Sequence, residues 1–539
     1  MLPASQHSIT VTLSQLLSTV PNLTAEPLTD ILANDPETWA KIKDISFASF
    51  VLDSRNLAPN DVFVLLKSHS NNKTKSADYL RQAATTAAMI LTEIDPKTLL
   101  AKDELESLSL SCPVIFVPHI RQILGSLIQL NLQANLPQVL PTVVAVTGTN
   151  GKTTISQLVA QLSELAGKSS AVMGTAGNGR LNHLVQASHT TGDASLVQQF
   201  LYQLGQECAA VLALEASSHG LDQLRLQGVP ISTAIFTNLS RDHLDYHASM
   251  EEYAAAKARL FDKTYFPTLT HAIINLDDDF AALMIQTAQK SDLEVWTYSL
   301  NPTAKATFVA TNIAPSLDGV TIEIQSPFGK SQVTSPLLGR FNVANLIAAM
   351  AAVATLGVDF NELQALVPKL HGAMGRMQRV ASNEGCFIVD YAHTPDALTQ
   401  VLTSLKAHCS GTLWAVFGCG GDRDRGKRPL MAQAGLAAAD RVVLTSDNPR
   451  SEDPKQILAD MQAGLTSAQL ANAKIEPNRK AAIDWVVSQA CADDIVVIAG
   501  KGHETYQEIK GVRYDFDDSQ VLADALTIHQ NRAFSASPN

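Results

Sequence analysis

One short segment constrains the fold more than any other. Residues 142–146 are an apolar, β-branched run, residues 148–154 contain two glycines, and apolar residues recur at helical spacing from Ile155 to Leu165. Strand, glycine-rich turn and helix, in that order, form the context of a phosphate-binding loop, because backbone N–H groups at a helix N-terminus can then approach phosphate oxygens. The segment therefore predicts an α/β domain that binds a nucleotide.

The turn itself reads Gly-x-x-Gly-Lys-Thr, two residues shorter than the common loop GxxxxGK(S/T). A match of this length also fits an ordinary turn, but the flanking strand and helix favour a nucleotide site. Lys152 can reach the terminal phosphates, and the Thr153 hydroxyl can face Mg²⁺. The residues predicted to bind the nucleotide are Gly148, Thr149, Asn150, Gly151, Lys152, Thr153 and Thr154.

The last third of the chain alternates short apolar runs with helical stretches. The runs 387–389, 413–417, 441–444 and 495–498 are predicted strands, and the stretches 397–407 and 481–490 are predicted helices. This alternation predicts a parallel sheet covered by helices. Each run leads into a polar motif, and the carboxyl ends of parallel strands share one edge, so we expect the four motifs to form one pocket.

The fold class predicted for the whole chain is α/β with three domains. At roughly 150 residues per domain, 539 residues correspond to about three or four units. Pro137 and Pro141 bracket a predicted linker, and a further unit begins near Leu338. Strands of the first domain are predicted at 63–66, 87–91 and 114–117. The expected domains are 1–140, 141–337 with the phosphate loop, and 338–539.

The charge balance excludes some partners. The chain carries 40 Lys and Arg against 52 Asp and Glu, whereas a nucleic-acid binder presents a basic face. The most apolar stretch, 343–356, falls short of the ~20 residues that span a bilayer, and the first forty residues lack the Lys or Arg of a secretory signal. We expect a cytoplasmic protein that neither binds nucleic acid nor inserts into a membrane.

Three residues near the ends of apolar runs are candidates for chemistry, and each has a plain alternative. Glu215 suits Mg²⁺, which prefers oxygen ligands, but it equally suits a carboxylate that caps the next turn. His243 follows another apolar run, and a lone histidine is more often structural than a ligand. Lys257 lies in a predicted helix, where local sequence indicates only a solvated lysine.

The turn 447–450 presents a carboxylate, an amide and a guanidinium. Asp447 or Asn448 can hold an ammonium group while Arg450 grips a carboxylate with two parallel bonds, so the turn can bind a zwitterion. Taken alone, it equally fits an Asx-type turn with an exposed arginine.

These motifs, in this order, resemble the Mur ligase family. The resemblance runs from about Leu52 to Asp518, nearly the whole chain. It rests on residues 147–154, 215–220, 238–247, 341–345, 375–377, 390–396, 417–428, 447–450 and 500–504. The resemblance implies an N-terminal domain for a UDP-sugar, a central ATPase domain and a C-terminal Rossmann-like domain.

The resemblance also implies an activity, the ATP- and Mg²⁺-dependent joining of an amine to a carboxylate. The turn 447–450 resembles the form of the family that selects meso-diaminopimelate, because lysine-adding members lack the arginine. Diaminopimelate has a distal carboxylate that lysine lacks, and a buried Arg450 would be unpaired with lysine. The implied substrates are ATP, UDP-N-acetylmuramoyl-L-alanyl-D-glutamate and meso-diaminopimelate, and we expect a monomer.

Residue roles are implied by the same resemblance. Lys152, Glu215, His243 and Lys257 would be catalytic, and Mg²⁺ would be held by Thr153, Glu215, His243 and Lys257, the last as a carbamate. ATP would also contact Asn342, Asn345, Arg376 and Asp390. The sugar nucleotide would be held by Leu52, Ser54, Thr190, Thr191, Ser217, Gln223 and Arg225. Diaminopimelate would be held by Arg423, Asp447, Asn448, Pro449, Arg450, Gly500 and Glu504.

The chain departs from the family pattern in three places, and three other functions compete. The departures are the loop after His69, Gln378 in place of an acidic residue, and Asn478 in place of aspartate. Arg450 argues against a lysine-adding ligase. The hypothesis of a folylpolyglutamate synthetase gives no role to the residues of the turn 447–450. A non-catalytic, nucleotide-gated binding protein need not retain the complete catalytic set.

Overall fold

The structure, a computed structural model, describes residues 10–18, 36–68, 72–187, 189–244, 246–316, 319–373, 375–382 and 385–536. The chain divides into two compact units: unit 1 comprises Met1–Lys152, Gly167–Ile273 and Asp279–Val295, and unit 2 comprises Thr153–Ala166, Ile274–Asp278 and Trp296–Asn539. The three-domain division at residues 140 and 337 stays a prediction. None of the helices within the described ranges combines the length and apolarity that a bilayer crossing requires.

The first part of unit 1 contains a two-stranded antiparallel sheet and a four-stranded parallel sheet, together with helices. Its strands are β1 (Val11–Thr12), β2 (Ser46–Phe47), β3 (Phe50–Val51), β4 (Val62–Leu65), β5 (Met89–Thr92) and β6 (Val114–Phe116), and its helices are α1 (Leu13–Ser18), α2 (Pro36–Ile42), α3 (Lys73–Ala84), α4 (Lys102–Ser111) and α5 (Leu124–Asn135). Strands β3 to β6 are parallel and lie in sequence order. The three strands predicted in this part are confirmed to within two residues.

The second part of unit 1 is built around a buried parallel strand. Its strands are β7 (Thr142–Thr147), β8 (Ser170–Gly174), β9 (Gly177–Arg180), β10 (His183–Val185), β11 (Val211–Glu215), β12 (Ile231–Phe236) and β13 (His271–Asn275). Helix α6 (Lys152–Leu165) follows β7 along the chain and belongs to unit 2 after its first residue. The helices of unit 1 along this stretch are α7 (Ala194–Gln206), α8 (Ser218–Asp222), α9 (Met250–Ala258) and α10 (Ala281–Lys290). Strands β11 and β12 run parallel to β7 on either side. Thr147, Glu215 and Phe236 therefore end at one edge.

Unit 2 resumes at Trp296, and this stretch contains an antiparallel meander that was not predicted from the sequence. The elements are β14 (Glu294–Ser299), β15 (Phe308–Ser316), β16 (Gly319–Ser326) and β17 (Gly329–Ser335), followed by α11 (Arg340–Thr355) and α12 (Phe360–Leu366). Strands β15, β16 and β17 pair antiparallel in sequence order. Along β16 buried residues alternate with more exposed ones, so the run lacks the continuous apolar signal of the parallel strands.

The rest of unit 2 is the predicted parallel sheet. Its strands are β18 (Gln378–Val380), β19 (Cys386–Asp390), β20 (Leu413–Phe417), β21 (Arg441–Leu444), β22 (Ala473–Ile475) and β23 (Ile495–Ala499), followed by a hairpin of β24 (Tyr506–Ile509) and β25 (Val512–Asp515). The helices are α13 (Pro395–Lys406), α14 (Lys427–Ala438), α15 (Pro454–Gln462), α16 (Ser467–Ala471), α17 (Arg479–Gln489) and α18 (Asp518–Ala536). The strand order is β18–β19–β23–β20–β21–β22, and only β18 pairs antiparallel. The predicted α/β class is confirmed.

A fully buried ion pair braces this sheet where its polar motifs begin. Arg479 and Asp518, the first residues of α17 and α18, are joined by two bonds of 2.7 and 2.6 Å, and neither side chain is exposed. The same guanidinium donates to the carbonyls of Ser446 at 3.2 Å and Ala499 at 3.0 Å. Arg479 thereby ties the chain beyond β21 and the end of β23 to α18.

Replacing one partner of this pair is expected to destabilise unit 2. Asp518→Asn leaves the Arg479 charge buried without its counter-ion, which costs about 3–5 kcal/mol of unfolding free energy. Urea-induced unfolding followed by circular dichroism measures the change. Asp524→Asn, an exposed residue of the same helix, is the control, with an expected change under about 0.5 kcal/mol. Equal losses of unfolding free energy in the two variants would contradict a stabilising role for the Arg479–Asp518 ion pair.

Candidate active site

The phosphate loop depends on two glycines that adopt left-handed backbone. Gly148 has φ +147° and Gly151 has φ +88°. A Cβ on Gly148 would lie 1.9 Å from the Thr237 hydroxyl oxygen, so no larger residue fits there. Lys152 begins helix α6, and its ammonium donates to the carbonyls of Gly148 at 2.9 Å and Thr149 at 2.8 Å. The Lys152 ammonium therefore stabilises the folded form of the loop from the N-terminus of α6.

The residues after strand β12 hold the loop in place. Thr149 N–H donates to the Asn238 carbonyl at 2.8 Å, and Asn150 N–H donates to the Asn238 side-chain oxygen at 3.0 Å. The Thr237 hydroxyl donates to the Asn150 carbonyl at 2.5 Å. The sequence analysis gave Thr237 and Asn238 no role, although they open the polar run after a predicted strand. Thr153 and Thr154 lie buried in the first turn of α6.

Lys257 is buried against this loop, so the local interpretation as a solvated lysine is wrong. Its side chain is 1% exposed, and its amine donates to the Gly148 carbonyl at 2.8 Å. The amine also lies 4.5 Å from the centre of the Tyr253 ring. Burial, and then the charge of Lys152, hold the pKa of Lys257 well below its usual value. A lowered pKa favours the neutral amine, which is the form that adds carbon dioxide.

Glu215 is buried at the end of β11 and is held by another segment. Thr175 donates to both carboxylate oxygens, from its N–H at 2.9 Å and from its hydroxyl at 3.1 Å. A Cβ on Gly174 would lie 2.1 Å from the carboxylate. The next turn is capped by Ser217, which accepts from Gly220 N–H at 3.0 Å. The alternative role of Glu215 as the cap of that turn is therefore wrong.

His243 belongs to a cluster of rings that the sequence analysis did not identify. It has φ +54°, and its ring centre lies 5.0 Å from that of His219. His219 lies 4.1 Å from Tyr246, and His247 packs 5.2 Å from Tyr253. Burial lowers the pKa of His247, which favours its neutral form at neutral pH. His243 is therefore packed among aromatic neighbours, with its side chain 41% exposed.

A cavity of about 380 Å³ joins several predicted site residues in unit 1. Of the predicted residues, it is lined by Lys152, Thr190, Thr191, Ser217, Arg225, His243 and Lys257. It is also lined by Thr175, Ala187, His189, Ser218 and His219, which the sequence analysis did not single out. The Glu215 carboxylate is bonded to Thr175, one of the residues that line this cavity. Cations, imidazoles and hydroxyls thus share one space, which suits a phosphate-bearing ligand.

One wall of the cavity is a network around Arg225. Its guanidinium donates twice to the Gln223 side-chain oxygen, at 3.0 and 2.8 Å, and once to the Thr191 carbonyl at 2.9 Å. Thr191 in turn donates to the Glu215 carbonyl at 2.8 Å. Burial lowers the pKa of Arg225 below its ordinary value. The structure therefore links four predicted residues, Thr191, Glu215, Gln223 and Arg225, by direct bonds.

The two predicted uridine contacts lie elsewhere in unit 1, at the start of a short 3₁₀ helix. Leu52 packs against the hydrophobic core of the first part of unit 1. Ser54 begins the turn Ser54–Asn56, which Asp53 caps by accepting from Arg55 N–H. The structure does not place either residue on the cavity described above, and their contact with a ligand stays a prediction.

Four predicted ATP contacts lie in unit 2 and form two pairs. Asn345 donates to the Asn342 side-chain oxygen at 3.0 Å inside helix α11. Asp390 is buried at the end of β19, where it accepts from Met377 N–H and Ala392 N–H, both at 2.7 Å. Burial raises the pKa of Asp390, although nearby Arg376 opposes the shift. The Arg376 guanidinium lies 4.5 Å from the centre of the Tyr391 ring.

The turn 447–450 is packed tightly into unit 2, not exposed. Arg450 has φ +49° and donates to the Gly421 carbonyl at 2.8 Å. Gly500 has φ +116°, and a Cβ there would lie 2.6 Å from an Asp447 carboxylate oxygen. Asn448 donates to Glu504 at 2.8 Å. Pro449 is buried and Arg423 is exposed. The motifs after β21 and β23 are therefore in direct contact, as the shared edge predicted.

Comparisons with known proteins agree with this geometry. A family model described as the Mur ligase middle domain matches residues 146–353, and one described as the Mur ligase, glutamate ligase domain matches residues 375–502. The UDP-N-acetylmuramoyl-L-alanyl-D-glutamate–2,6-diaminopimelate ligase of Vibrio vulnificus is 41% identical over 490 residues, covering 90% of this chain and 96% of that protein.

Solved structures extend the similarity to three dimensions. A structure of a UDP-N-acetylmuramoyl-L-alanyl-D-glutamate–2,6-diaminopimelate ligase is 44% identical with a TM-score of 0.71, covering 97% of this chain and 100% of that chain. The folylpolyglutamate synthase of Mycobacterium tuberculosis, complexed with ADP, shares the fold at 18% identity, with a TM-score of 0.57 over 78% of this chain and 95% of its own. The full-length matches above 40% identity settle the assignment: this chain belongs to the Mur ligase family.

Proposed function

We propose that this chain is an ATP-dependent ligase that adds meso-diaminopimelate to UDP-N-acetylmuramoyl-L-alanyl-D-glutamate in peptidoglycan synthesis. The observation that carries the proposal is the cavity that joins the loop cation Lys152 and the buried Lys257, whose pKa is lowered by burial, to Thr190, Thr191 and Arg225. Full-length relatives that are named for this reaction support it. The proposed substrates are these two molecules and ATP.

The first step transfers a phosphoryl group to the substrate. A γ-carboxylate oxygen of the D-glutamyl residue attacks the terminal phosphorus of ATP, the bond to the bridging oxygen breaks, and an acyl phosphate and ADP form. Lys152 and the N–H groups at the start of α6 would face the transferring phosphoryl group, where negative charge is spread over its oxygens. Arg225 and the threonines would hold the sugar nucleotide so that its carboxylate points toward the loop.

The second step forms the amide. The free amine of diaminopimelate attacks the acyl carbon, and a tetrahedral intermediate then expels inorganic phosphate while the nitrogen loses a proton. The amino acid would be held by the motifs after β20, β21 and β23, with Arg450 on its distal carboxylate and Glu504 on an ammonium group. The two steps together convert ATP, acid and amine into ADP, phosphate and amide.

The donor chemistry around Lys257 fits a magnesium ion once the amine carries a carbamate. A neutral amine adds carbon dioxide, and the resulting carboxylate-like group would supply oxygen ligands beside Glu215, His243 and Thr153. Unmodified, the described residues contain no group of three His, Cys, Asp or Glu side chains that could hold a metal. Whether these residues can hold Mg²⁺ therefore depends on the carbamate at Lys257. A bound Mg²⁺ would supply positive charge to the phosphate oxygens there.

The remaining assignments belong to the same proposal. ATP would also contact Asn342, Asn345, Arg376 and Asp390, the uridine part would contact Leu52 and Ser54, and the protein would act as a monomer of three domains divided near residues 140 and 337. The burial of Asp390 and the pairing of Asn342 with Asn345 support ordered positions for these side chains.

The reaction is tested by supplying two amino acids to the purified full-length protein. With ATP, Mg²⁺ and the UDP-dipeptide, phosphate release and product mass are expected with meso-diaminopimelate and not with L-lysine. Turnover with lysine would retain the family chemistry and overturn the proposed role of the 447–450 turn. Bound ATP without turnover of either amino acid would support the binding-protein alternative.

Removing the proposed carbamate site is expected to abolish catalysis. Lys257→Met keeps the length of the side chain but not its amine, and kcat is expected to fall by about 100- to 1000-fold through lost charge stabilisation. In ¹³C-bicarbonate, the carbamate signal in the NMR spectrum is expected in the wild type and absent from the variant. Lys290→Met, at the exposed last residue of helix α10, is the control and is expected to keep both activity and signal. A carbamate signal that survives Lys257→Met would refute the assignment.

Arg450 is expected to control affinity for diaminopimelate. Arg450→Asn removes the guanidinium, and asparagine tolerates the left-handed backbone at this position. The loss of a charged hydrogen-bond pair is expected to lower kcat/KM for diaminopimelate by about 10- to 150-fold. Arg441→Gln, at the opposite end of β21, is the control. An unchanged kcat/KM in Arg450→Asn would remove Arg450 from the substrate pocket.

A further inference from the structure

A second buried lysine lies behind the 447–450 turn in unit 2. The side chain of Lys501 is 0% exposed. Its ammonium has three N–H donors, and the structure supplies three acceptors: the Asn448 side-chain oxygen at 3.3 Å, a Glu504 carboxylate oxygen at 3.3 Å and the Tyr506 carbonyl. A buried ammonium is tolerated only when its donors are paired in this way. Lys501 therefore joins the 447–450 turn to its own loop and to the start of β24.

The first effect of Lys501 is on the orientation of the Asn448 amide. The Asn448 side-chain oxygen accepts from Lys501 and, at 2.9 Å, from Glu508 N–H. Its nitrogen donates to Glu504 at 2.8 Å. A flipped amide would set its N–H groups against two donors and its oxygen against a carboxylate. The Lys501 ammonium therefore favours the orientation in which the Asn448 nitrogen, and not its oxygen, points toward Glu504.

The second effect is on the Glu504 carboxylate. The bonds from Lys501 and Asn448 both end on the same oxygen, Oε2. This pairing fixes the rotation of the carboxyl group and directs its other oxygen away from the pair. The Glu504 side chain is 22% exposed, so the group borders solvent and can meet a ligand.

The third effect is on the hairpin β24–β25. Tyr506, the first residue of β24, is anchored by Lys501. The same strand supports the turn through Glu508, whose carbonyl accepts from Arg450 N–H at 2.9 Å, and through Gln507, whose side chain donates to the Asp447 carbonyl at 2.6 Å. Lys501 therefore ties the hairpin to the turn that it supports.

We propose that Lys501 is a positioning residue for the amino-acid substrate, which acts by fixing the Glu504 carboxylate and the Asn448 amide in the orientation that binds the substrate ammonium. This rests on the proposed function, in which Glu504 and Asn448 bind the amino acid. Lys501 acts through these side chains and does not touch the reacting atoms. Its effect therefore falls on amino-acid binding and not on the phosphoryl transfer in the other unit.

The kinetic test separates this role from a purely structural one. In full-length Lys501→Met, KM for the amino acid is expected to rise about 10-fold or more, because buried acceptors lose a charged donor. The KM values for ATP and the UDP-dipeptide are expected to stay within about twofold of the wild-type values, because the variant loses binding energy for the amino acid alone. Lys480→Met, which removes an exposed lysine of α17, is the matched control. Equal rises in all three KM values, or none, would overturn the proposal.

A double-mutant cycle tests whether Lys501 acts through Glu504. If it does, Lys501→Met combined with Glu504→Gln is expected to raise KM little beyond Glu504→Gln alone, whereas independent residues give additive effects. Additivity would overturn the proposal. If circular dichroism shows that Lys501→Met does not fold, Lys501→Gln replaces it with the same expected rise in KM, and failure of both to fold would assign Lys501 to stability instead.

The wild-type protein distinguishes failure of this proposal from failure of the proposed function. Wild-type turnover with diaminopimelate establishes the function, and an unchanged KM in the variants then counts against Lys501 alone. If the wild type accepts lysine instead, the cycle is measured with lysine. If it turns over neither amino acid, the proposed function fails, and the role of Lys501 in it fails too.

Discussion

Parallel strands buried on both faces impose the constraint on which the rest of the molecule depends. Such strands end together at one edge, and the chain beyond them must satisfy its polar groups largely from neighbouring strands. At β7, β11 and β12 this brings Thr147, Glu215 and Thr237 side by side, where the Thr147 hydroxyl donates to the Ala216 carbonyl and the Thr237 hydroxyl to the phosphate loop. The position of the candidate site therefore follows from the edge at which these three parallel strands end together.

Buried basic side chains lie at both edges. Lys257 donates to a carbonyl and lies against an aromatic ring, and burial lowers its pKa. Lys501 and Arg479 instead meet carboxylates as well as carbonyls, so their charges are compensated and they brace the chain. A buried basic side chain therefore has its pKa lowered where burial dominates, as at Lys257, and braces the chain where a carboxylate is bonded to it, as at Lys501 and Arg479.

Local signals in the sequence predicted the strands, the phosphate loop and the polar edge of the second sheet, because these depend on neighbouring residues. They did not predict the antiparallel meander β15–β17, which lacks the continuous apolar run of a parallel strand, or the burial of Lys257, which depends on a carbonyl 109 residues away. They equally missed Thr175 and Lys501, whose partners come from other strand ends. Long-range contacts of single side chains leave no periodic pattern, so only the family resemblance pointed to Lys257.

Backbone strain marks the same edges. His243, Asp422 and Arg450 all have positive φ, a conformation that costs a residue with a Cβ about 1–2 kcal/mol relative to its usual region. Glycine would remove that cost, but it would also remove the imidazole, carboxylate or guanidinium. At Arg450 the strained residue is held from both sides, by Glu508 accepting its N–H and by Lys510 N–H donating to its carbonyl at 2.6 Å. The hairpin therefore compensates for the strained conformation of Arg450, so the shape of the 447–450 turn depends on β24 and β25.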